Sequence, residues 1–379
     1  MDSALARMNA NAMRTNTPVF VIIELTRRCN LNCDHCYVDH HIKDQLSVAQ
    51  LEKIFADMAR AGVLLVTFTG GEVGLRKDLP EILAAARKHR FSIKLNSTGT
   101  LFSNADIARL AALQVRQVNV SVYSDNAEVH DAVVRKKGSF AETLRAIRAM
   151  RANGITVKLQ CPLMTSNASE IGAIIALARR EGCTSAFDPV VAPMEDGRTD
   201  PCVLHLSAGQ IASVYAQGGV IEFMGEGGGA EIIEEGFGEG AAICGAGRTL
   251  AFIDSRGDLY PCLAWRDRVG NVLENSFEQL WRNSPKFHAV RDFTSSDLHE
   301  CKSCSNQKYC NYCPGLSHAE RGEAALAAPS ACNAAEGKRL FHEHLRHGEA
   351  IVDPGFVSVG RYAPGAAPAR KRPLLPILG

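Results

Sequence analysis

Three cysteines lie close together near the start of this sequence, Cys29, Cys33 and Cys36, in a C-x3-C-x2-C spacing. Three thiolates hold three irons of a 4Fe–4S cube and leave the fourth iron open to another ligand. A structural zinc ion is the competing reading. It would need a fourth donor, His35 or His40, and zinc sites more often repeat C-x2-C. A second block follows far downstream: Cys244, Cys262, then Cys301-x2-Cys304-x5-Cys310-x2-Cys313, and Cys332. It has the same two readings, iron–sulfur clusters or a pair of structural zinc sites. The other three cysteines, Cys161, Cys183 and Cys202, stand alone and read as core packing.

The elements that would carry the first thiols are legible. An apolar run at 19–25 reads as a buried strand, and the cysteines follow in the loop at its C-terminal end, where α/β proteins keep their chemistry. From Pro18 to Pro189 strand and helix patterns alternate. Strands are predicted at 19–25, 64–69, 93–96, 117–123, 156–162 and 185–188. Helices are predicted at 48–61, 79–88, 104–113, 140–153 and 169–181. Ser47, with Gln50 three residues later, reads as a helix cap, and Gly62, Gly154 and Gly182 read as stops. Six β/α units argue for a parallel, right-handed partial barrel, two short of a full one. In the second block, 249–253 and 258–260 read as a hairpin turning at Ser255-Arg256-Gly257.

Composition narrows the class. The chain has 379 residues, 46% of them apolar, enough for one large or two modest domains. The balance of 42 basic against 41 acidic residues argues against a nucleic-acid-binding surface. No apolar run approaches the ~20 residues of a membrane span, and no signal-peptide pattern opens the chain. Thirteen cysteines, an odd number with clustered spacings, point to metal in a reducing compartment, so a cytoplasmic location is expected.

Cys29-Asn30-Leu31-Asn32-Cys33-Asp34-His35-Cys36, with His35 in the aromatic slot and Tyr37 following, resembles the signature of the radical S-adenosylmethionine (radical SAM) family. The resemblance runs from about residue 18 to about 345, because further features follow in order. Thr69-Gly70-Gly71-Glu72 after the second strand matches the family's GGE motif, which implies that Gly70, Gly71 and Glu72 hold the cofactor's amino group; Val73 stands where relatives have proline. Thr98 occupies a slot where the family commonly has asparagine. By the same resemblance Ser121 would meet the cofactor ribose and Arg135 its carboxylate.

The second block resembles the SPASM domain, the auxiliary-cluster extension of radical SAM maturases, in a shorter form ending Cys313-Pro314-Gly315. Carried over by position, Cys301, Cys304, Cys310 and Cys332 would ligate one auxiliary 4Fe–4S cluster. Cys244, Cys262 and Cys313 would hold another, with one iron open or held by an unidentified ligand.

The fold implied is a partial (β/α)6 TIM-like barrel with a C-terminal SPASM domain. Its divisions are a flexible arm (1–17), the barrel (18–217), a Gly/Glu-rich linker (218–243), the SPASM domain (244–348) and a Pro/Gly/Ala-rich tail (349–379). The activity implied is reductive cleavage of S-adenosylmethionine to a 5′-deoxyadenosyl radical, with hydrogen abstraction from a residue of a ribosomally made precursor peptide. Three 4Fe–4S clusters, an external electron donor such as flavodoxin or ferredoxin, and a separate leader-binding protein complete that picture. Three alternatives stay open. A sulfatase formylglycine maturase would have an acid after the second SPASM cysteine, where this chain has Leu263. A tetrapyrrole side-chain enzyme shares Thr26-Arg27-Arg28-Cys29-Asn30-Leu31. A non-catalytic electron carrier would have no need of Gly70-Gly71-Glu72. In the tail, Arg370-Lys371-Arg372 and the apolar residues after it suit strand addition to a partner's sheet edge or to the chain's own barrel bottom.

Overall fold

A computed structural model describes residues 4–40, 45–217, 238, 240–348, 350–353 and 355. The expected linker (apart from 238 and 240–243) and most of the tail, with its basic–apolar end, lie outside the described residues. Six parallel strands form the expected units: β1 (Phe20–Thr26), β2 (Leu65–Gly70), β3 (Ser92–Ser97), β4 (Val115–Ser121), β5 (Thr156–Pro162) and β6 (Thr184–Asp188). Helices alternate with them: α2 (Val48–Ala61), α3 (Leu79–Lys88), α4 (Asn104–Ala112), α5 (Ala127–Val134), α6 (Ser139–Ala152) and α7 (Ile171–Arg180). The Ser47–Gln50 capping box forms, and Gly62 closes α2 at φ 103°.

Strand alternation sorts the barrel into two faces. Val21, Ile23, Leu25, Val66, Phe68, Ile93, Leu95, Val118 and Val120 pack against Phe55, Ile82, Ile107 and Ile147 of the helices. The opposite face is polar and cross-linked along the lumen. Asn96 donates to Thr69 at 3.3 Å, Asn119 to Asn96 at 2.8 Å, and Gln117 to Asn119 at 2.6 Å.

The downstream hairpin, β7 (Leu250–Ile253) and β8 (Asp258–Tyr260), forms as expected. Its placement was not legible in the sequence. β7 lies parallel to β1, pairing Phe20 with Leu250 and Ile23 with Ile253, and β9 (Gly270–Asn271) follows β8. The order β6-β5-β4-β3-β2-β1-β7-β8-β9 is therefore one continuous nine-stranded sheet. The sheet crosses the division expected at 243/244, because β1 leaves an edge that only a later strand can cover.

The first residues differ from the flexible arm expected for 1–17. Ala4–Thr15 is a helix, α1. Its C-terminal end is held by the far half of the chain: Ala12 is buried, Trp281 Nε1 donates to the Asn16 carbonyl at 2.7 Å, and Thr249 reaches Met13. Leu5, Met8 and Ala12 stand at helical spacing in this segment, a signal that its many polar residues obscure.

A second core joins α7 and α8 (Ala208–Ala216) to the last helix, α12 (Pro329–His347), through Ile174, Leu206, Ile211, Tyr215 and Phe341. α12 turns a histidine inward. His342 is buried and its Nδ1 meets the Tyr309 hydroxyl at 2.7 Å. Asp353, at the start of the expected tail, accepts from Ser207 Oγ at 2.5 Å and Gly209 N at 3.0 Å and so caps α8.

Candidate functional site

The first cysteine loop leaves β1 at Thr26 and is held by main-chain bonds. Asn32 N donates to the Val134 carbonyl and Asp34 N to that of Val133, docking the loop on the end of α5. Cys29 and Cys33 pack against a cluster of Leu31, Tyr123, Val133, Val134 and Met164. Burial pushes the Cys29 thiol up to about 12, with Glu72 and Cys36 adding. Burial, Cys36 and Cys29 together hold Cys33 well above the ordinary thiol range. The three thiols thus share one small, poorly solvated space and need a compensating positive charge to ionise together. Polar groups already meet the sulfurs. Leu31 N–H lies 3.5 Å from Cys29 Sγ, Tyr123 shares a packed cluster with Cys33, and His40 Nε2, the acceptor of the neutral ring, lies 3.4 Å from the Cys36 thiol. His40 Nδ1 donates to the Arg27 carbonyl at 2.5 Å, which sets that ring's orientation. This donor set, three thiols with hydrogen bonds to sulfur, suits an iron–sulfur cluster. Among the described residues no group of three or more His, Cys, Asp or Glu side chains converges as a single metal ion would require.

The Gly-Gly-Glu segment packs directly against this loop. Gly71 N donates to the Thr26 carbonyl and Glu72 N to the Arg28 carbonyl, each at 2.8 Å. A Cβ on Gly70 would sit 2.1 Å from the Thr26 oxygen, and one on Gly71 would sit 2.2 Å from that of Arg28. Both glycines are therefore required by the chain's own backbone. Gly71→Ala is expected to cost about 3 kcal/mol or more, because the obstacle is main chain rather than a side chain that can yield. Gly138→Ala, with no atom within 4 Å of the new Cβ, carries only backbone strain of about 1–2 kcal/mol. Thermal melts of the two variants should rank in that order; equal losses would contradict the clash.

Glu72 is 1% exposed and saturated. Its Oε1 accepts from Gly74 N at 2.9 Å and Ser97 Oγ at 2.7 Å; its Oε2 accepts from Thr98 N and Thr98 Oγ1, each at 2.7 Å. Thr98, in the expected asparagine slot, thus ties the end of β3 to the end of β2. Asn30 Nδ2, beside Cys29, donates to Thr100 Oγ1 at 3.0 Å and joins the cysteine loop to the same network. Ser121 ends β4, two residues before Tyr123. Arg135 has φ 55° at the end of α5, and its Nε donates to Asp34 at 2.6 Å inside the cysteine loop. All five residues expected at the cofactor therefore surround the first cysteine loop or border its neighbours.

The downstream thiols raise one another. Burial pushes Cys313 up to about 11, with Cys262 and Cys244 adding. Burial pushes Cys332 up to about 12, with Cys310, Cys301 and Cys304 adding. Backbone amides serve the first group: Ala264 N lies 3.4 Å from Cys262 Sγ, and Leu316 N lies 3.4 Å from Cys313 Sγ at the start of α11 (Pro314–Arg321). The Cys310–Cys313 segment is pinned at both tyrosines. Tyr309 bonds His342, and Tyr312 donates to the Leu326 carbonyl at 2.7 Å.

Sequence reasoning passed over Glu195. It lies after β6, in no motif, and pairs with Arg27 and Arg266. No local signal marks it, because both partners are distant in the chain. His40 and Tyr123 were visible as residues, but their contacts with sulfur were not.

Comparison with known proteins identifies the family. Residues 23–178 match the model of the radical SAM superfamily, and residues 244–314 match SPASM, an iron–sulfur cluster-binding domain. The mycofactocin maturase MftC of Mycobacterium ulcerans is 33% identical over 310 residues, covering 78% of this chain and 82% of that protein. An AdoMet-dependent heme synthase of Methanosarcina barkeri is 26% identical over 332 residues, covering 82% of this chain and 95% of that protein. The fold is similar to that of Streptococcus suis SuiB bound to precursor peptide SuiA, with a TM-score of 0.64 at 15% identity, covering 86% of this chain and 80% of that one. This chain belongs to the radical SAM family, in the group that carries a SPASM domain. It is a radical SAM enzyme, using S-adenosylmethionine and iron–sulfur chemistry. Among the described residues no helix is long and apolar enough to cross a membrane.

Proposed function

We propose that this enzyme cleaves S-adenosylmethionine reductively and abstracts hydrogen from a residue of a ribosomally made peptide during that peptide's maturation. The carrying observation is the 33% identity to a maturase along most of both chains. SuiB, similar in fold, is a protein known with a precursor peptide bound. A reduced 4Fe–4S cluster supplies the electron for cofactor cleavage. The chain's residues bind, orient and shield. Cys29, Cys33 and Cys36 would hold that cluster, with the Leu31 amide donating to sulfur and Tyr123 packed in the same cluster. The Gly70-Gly71-Glu72 main chain would receive the cofactor's amino group. The Glu72 carboxylate, already accepting four bonds, acts instead by locking the ends of β2 and β3. Ser121 and Arg135 would face the ribose and carboxylate of the cofactor.

Two auxiliary 4Fe–4S clusters would sit on Cys301, Cys304, Cys310 and Cys332, and on Cys244, Cys262 and Cys313, for three in all. A flavodoxin or ferredoxin would deliver electrons in the cytoplasm, and a leader-binding protein would present the peptide. The test is anaerobic reconstitution with reductant, followed by assay for 5′-deoxyadenosine. Absence of cleavage ends this reading. A tetrapyrrole side-chain reaction is the second reading, supported by the similarity to heme synthase along 95% of that protein. Porphyrin absorbance in the natively purified protein would favour it.

A further inference from the structure

We propose that Glu195 is the pin that sets the first cysteine loop against the auxiliary loop at Cys262, and so fixes the separation of the clusters those loops would hold. The proposal rests on the cluster reading above and deepens it.

Glu195 touches both ends of the first loop. Its Oε2 accepts from Arg27 Nη1 at 2.5 Å, two residues before Cys29. Its N–H donates to the carbonyl of Tyr37 at 3.1 Å, directly after Cys36. Its other oxygen, Oε1, accepts from Arg266 Nη2 at 2.6 Å. Arg266 in turn donates from Nε to the Leu263 carbonyl at 2.9 Å, the residue after Cys262. One carboxylate therefore bridges two guanidiniums that each belong to a different cysteine loop.

The surroundings leave this bridge little freedom. Arg27 also pairs with Glu24 at 2.9 Å and Asp254 at 3.6 Å, and Ser255 N donates to Glu24 at 3.2 Å. Arg266 lies over the Phe252 ring, 4.2 Å from its centroid. Side-chain exposure is 4% for Arg27, 10% for Glu195 and 0% for Asp254. Buried charges tolerate no slip, because a displaced partner leaves an unpaired charge out of water. Apolar packing would stabilise such an interface at least as well. What the charges add is direction: each planar guanidinium donates once to Glu195 and once to a second acceptor, Arg27 to Glu24 and Arg266 to the Leu263 carbonyl, so angle is held as well as distance.

The experiment uses full-length reconstituted protein, reduced with dithionite, as wild type, Glu195→Gln, Arg266→Lys and Glu181→Gln. Glu181 pairs with the exposed Arg148 and is the control. Iron content is measured first, then the microwave-power saturation of the first cluster's EPR signal. Its relaxation depends steeply on the distance to a neighbouring reduced cluster. Glu195→Gln and Arg266→Lys should keep wild-type iron and shift the half-saturation power several-fold, while Glu181→Gln matches wild type. Wild-type saturation in both variants, even with lowered melting temperatures, overturns the proposal and leaves Glu195 a stabilising group. If Glu195→Gln loses iron, Arg266→Lys decides, since it keeps the cation but cannot reach Glu195 Oε1 and the Leu263 carbonyl with one fixed geometry. Zinc in place of auxiliary iron in the wild type would instead overturn the cluster reading, and this inference with it.

Discussion

Alanine in place of Cys29, Cys33 or Cys36 is expected to abolish cleavage of S-adenosylmethionine and to remove about four of about twelve irons. A cube held by three protein thiolates has no spare ligand. The open iron needed for the cofactor exists only while the other three are fixed. The loop itself should survive, because Asn32, Asp34, Gly71 and Glu72 anchor it through main-chain bonds that do not involve the thiols. A soluble protein that lacks one cluster and all cleavage is therefore expected, read by iron analysis and product chromatography. Retained cleavage in any one of the three variants would sink the assignment. Stoichiometric zinc with little iron in the wild type would sink it for a different reason.

Alanine at Cys301, Cys304, Cys310 or Cys332 is expected to have a different and structurally larger effect. Cys301 is buried beside Leu298, Tyr312 and Ala327, and Cys332 lies on α12, which also closes the second core with Ile211 and Tyr215. Losing one of four ligands of such a cluster removes a cross-link between the Cys301–Cys310 segment and α12. Iron should fall and soluble yield drop sharply, while whatever folds keeps the first cluster and some cofactor cleavage. Cys244→Ala should be milder in yield, because Cys244 lies at the surface. Full iron and normal solubility in the four variants would show that the thiols are grouped differently.

The residues that could be named from sequence are those whose neighbours in chemistry are also neighbours in the chain. C-x3-C-x2-C, Gly-Gly-Glu, the Ser47 cap and the αL glycines are local patterns, and each stands in the structure where its spacing puts it. The alternation of strand and helix likewise follows from periods of two and 3.6 residues, which need no tertiary knowledge. The grouping of downstream cysteines comes from resemblance; in the structure Cys262 and Cys244, 51 and 69 residues away, add to the raising of the Cys313 thiol.

Only the tertiary structure decided the rest. β7 pairs with β1, so the auxiliary hairpin extends the barrel sheet. The helix at 4–15 is docked at its C-terminal end by Trp281 and Thr249. Gly70 and Gly71 are needed by the loop backbone at Thr26 and Arg28 before any cofactor arrives. Arg27, Glu195 and Arg266, separated by 168 and 71 residues, meet in one buried set of charges. The physical reason is common to all four. Edge pairing, close backbone approach and buried charge pairing are energies of contact between distant segments, and they leave no period or spacing in the chain to read.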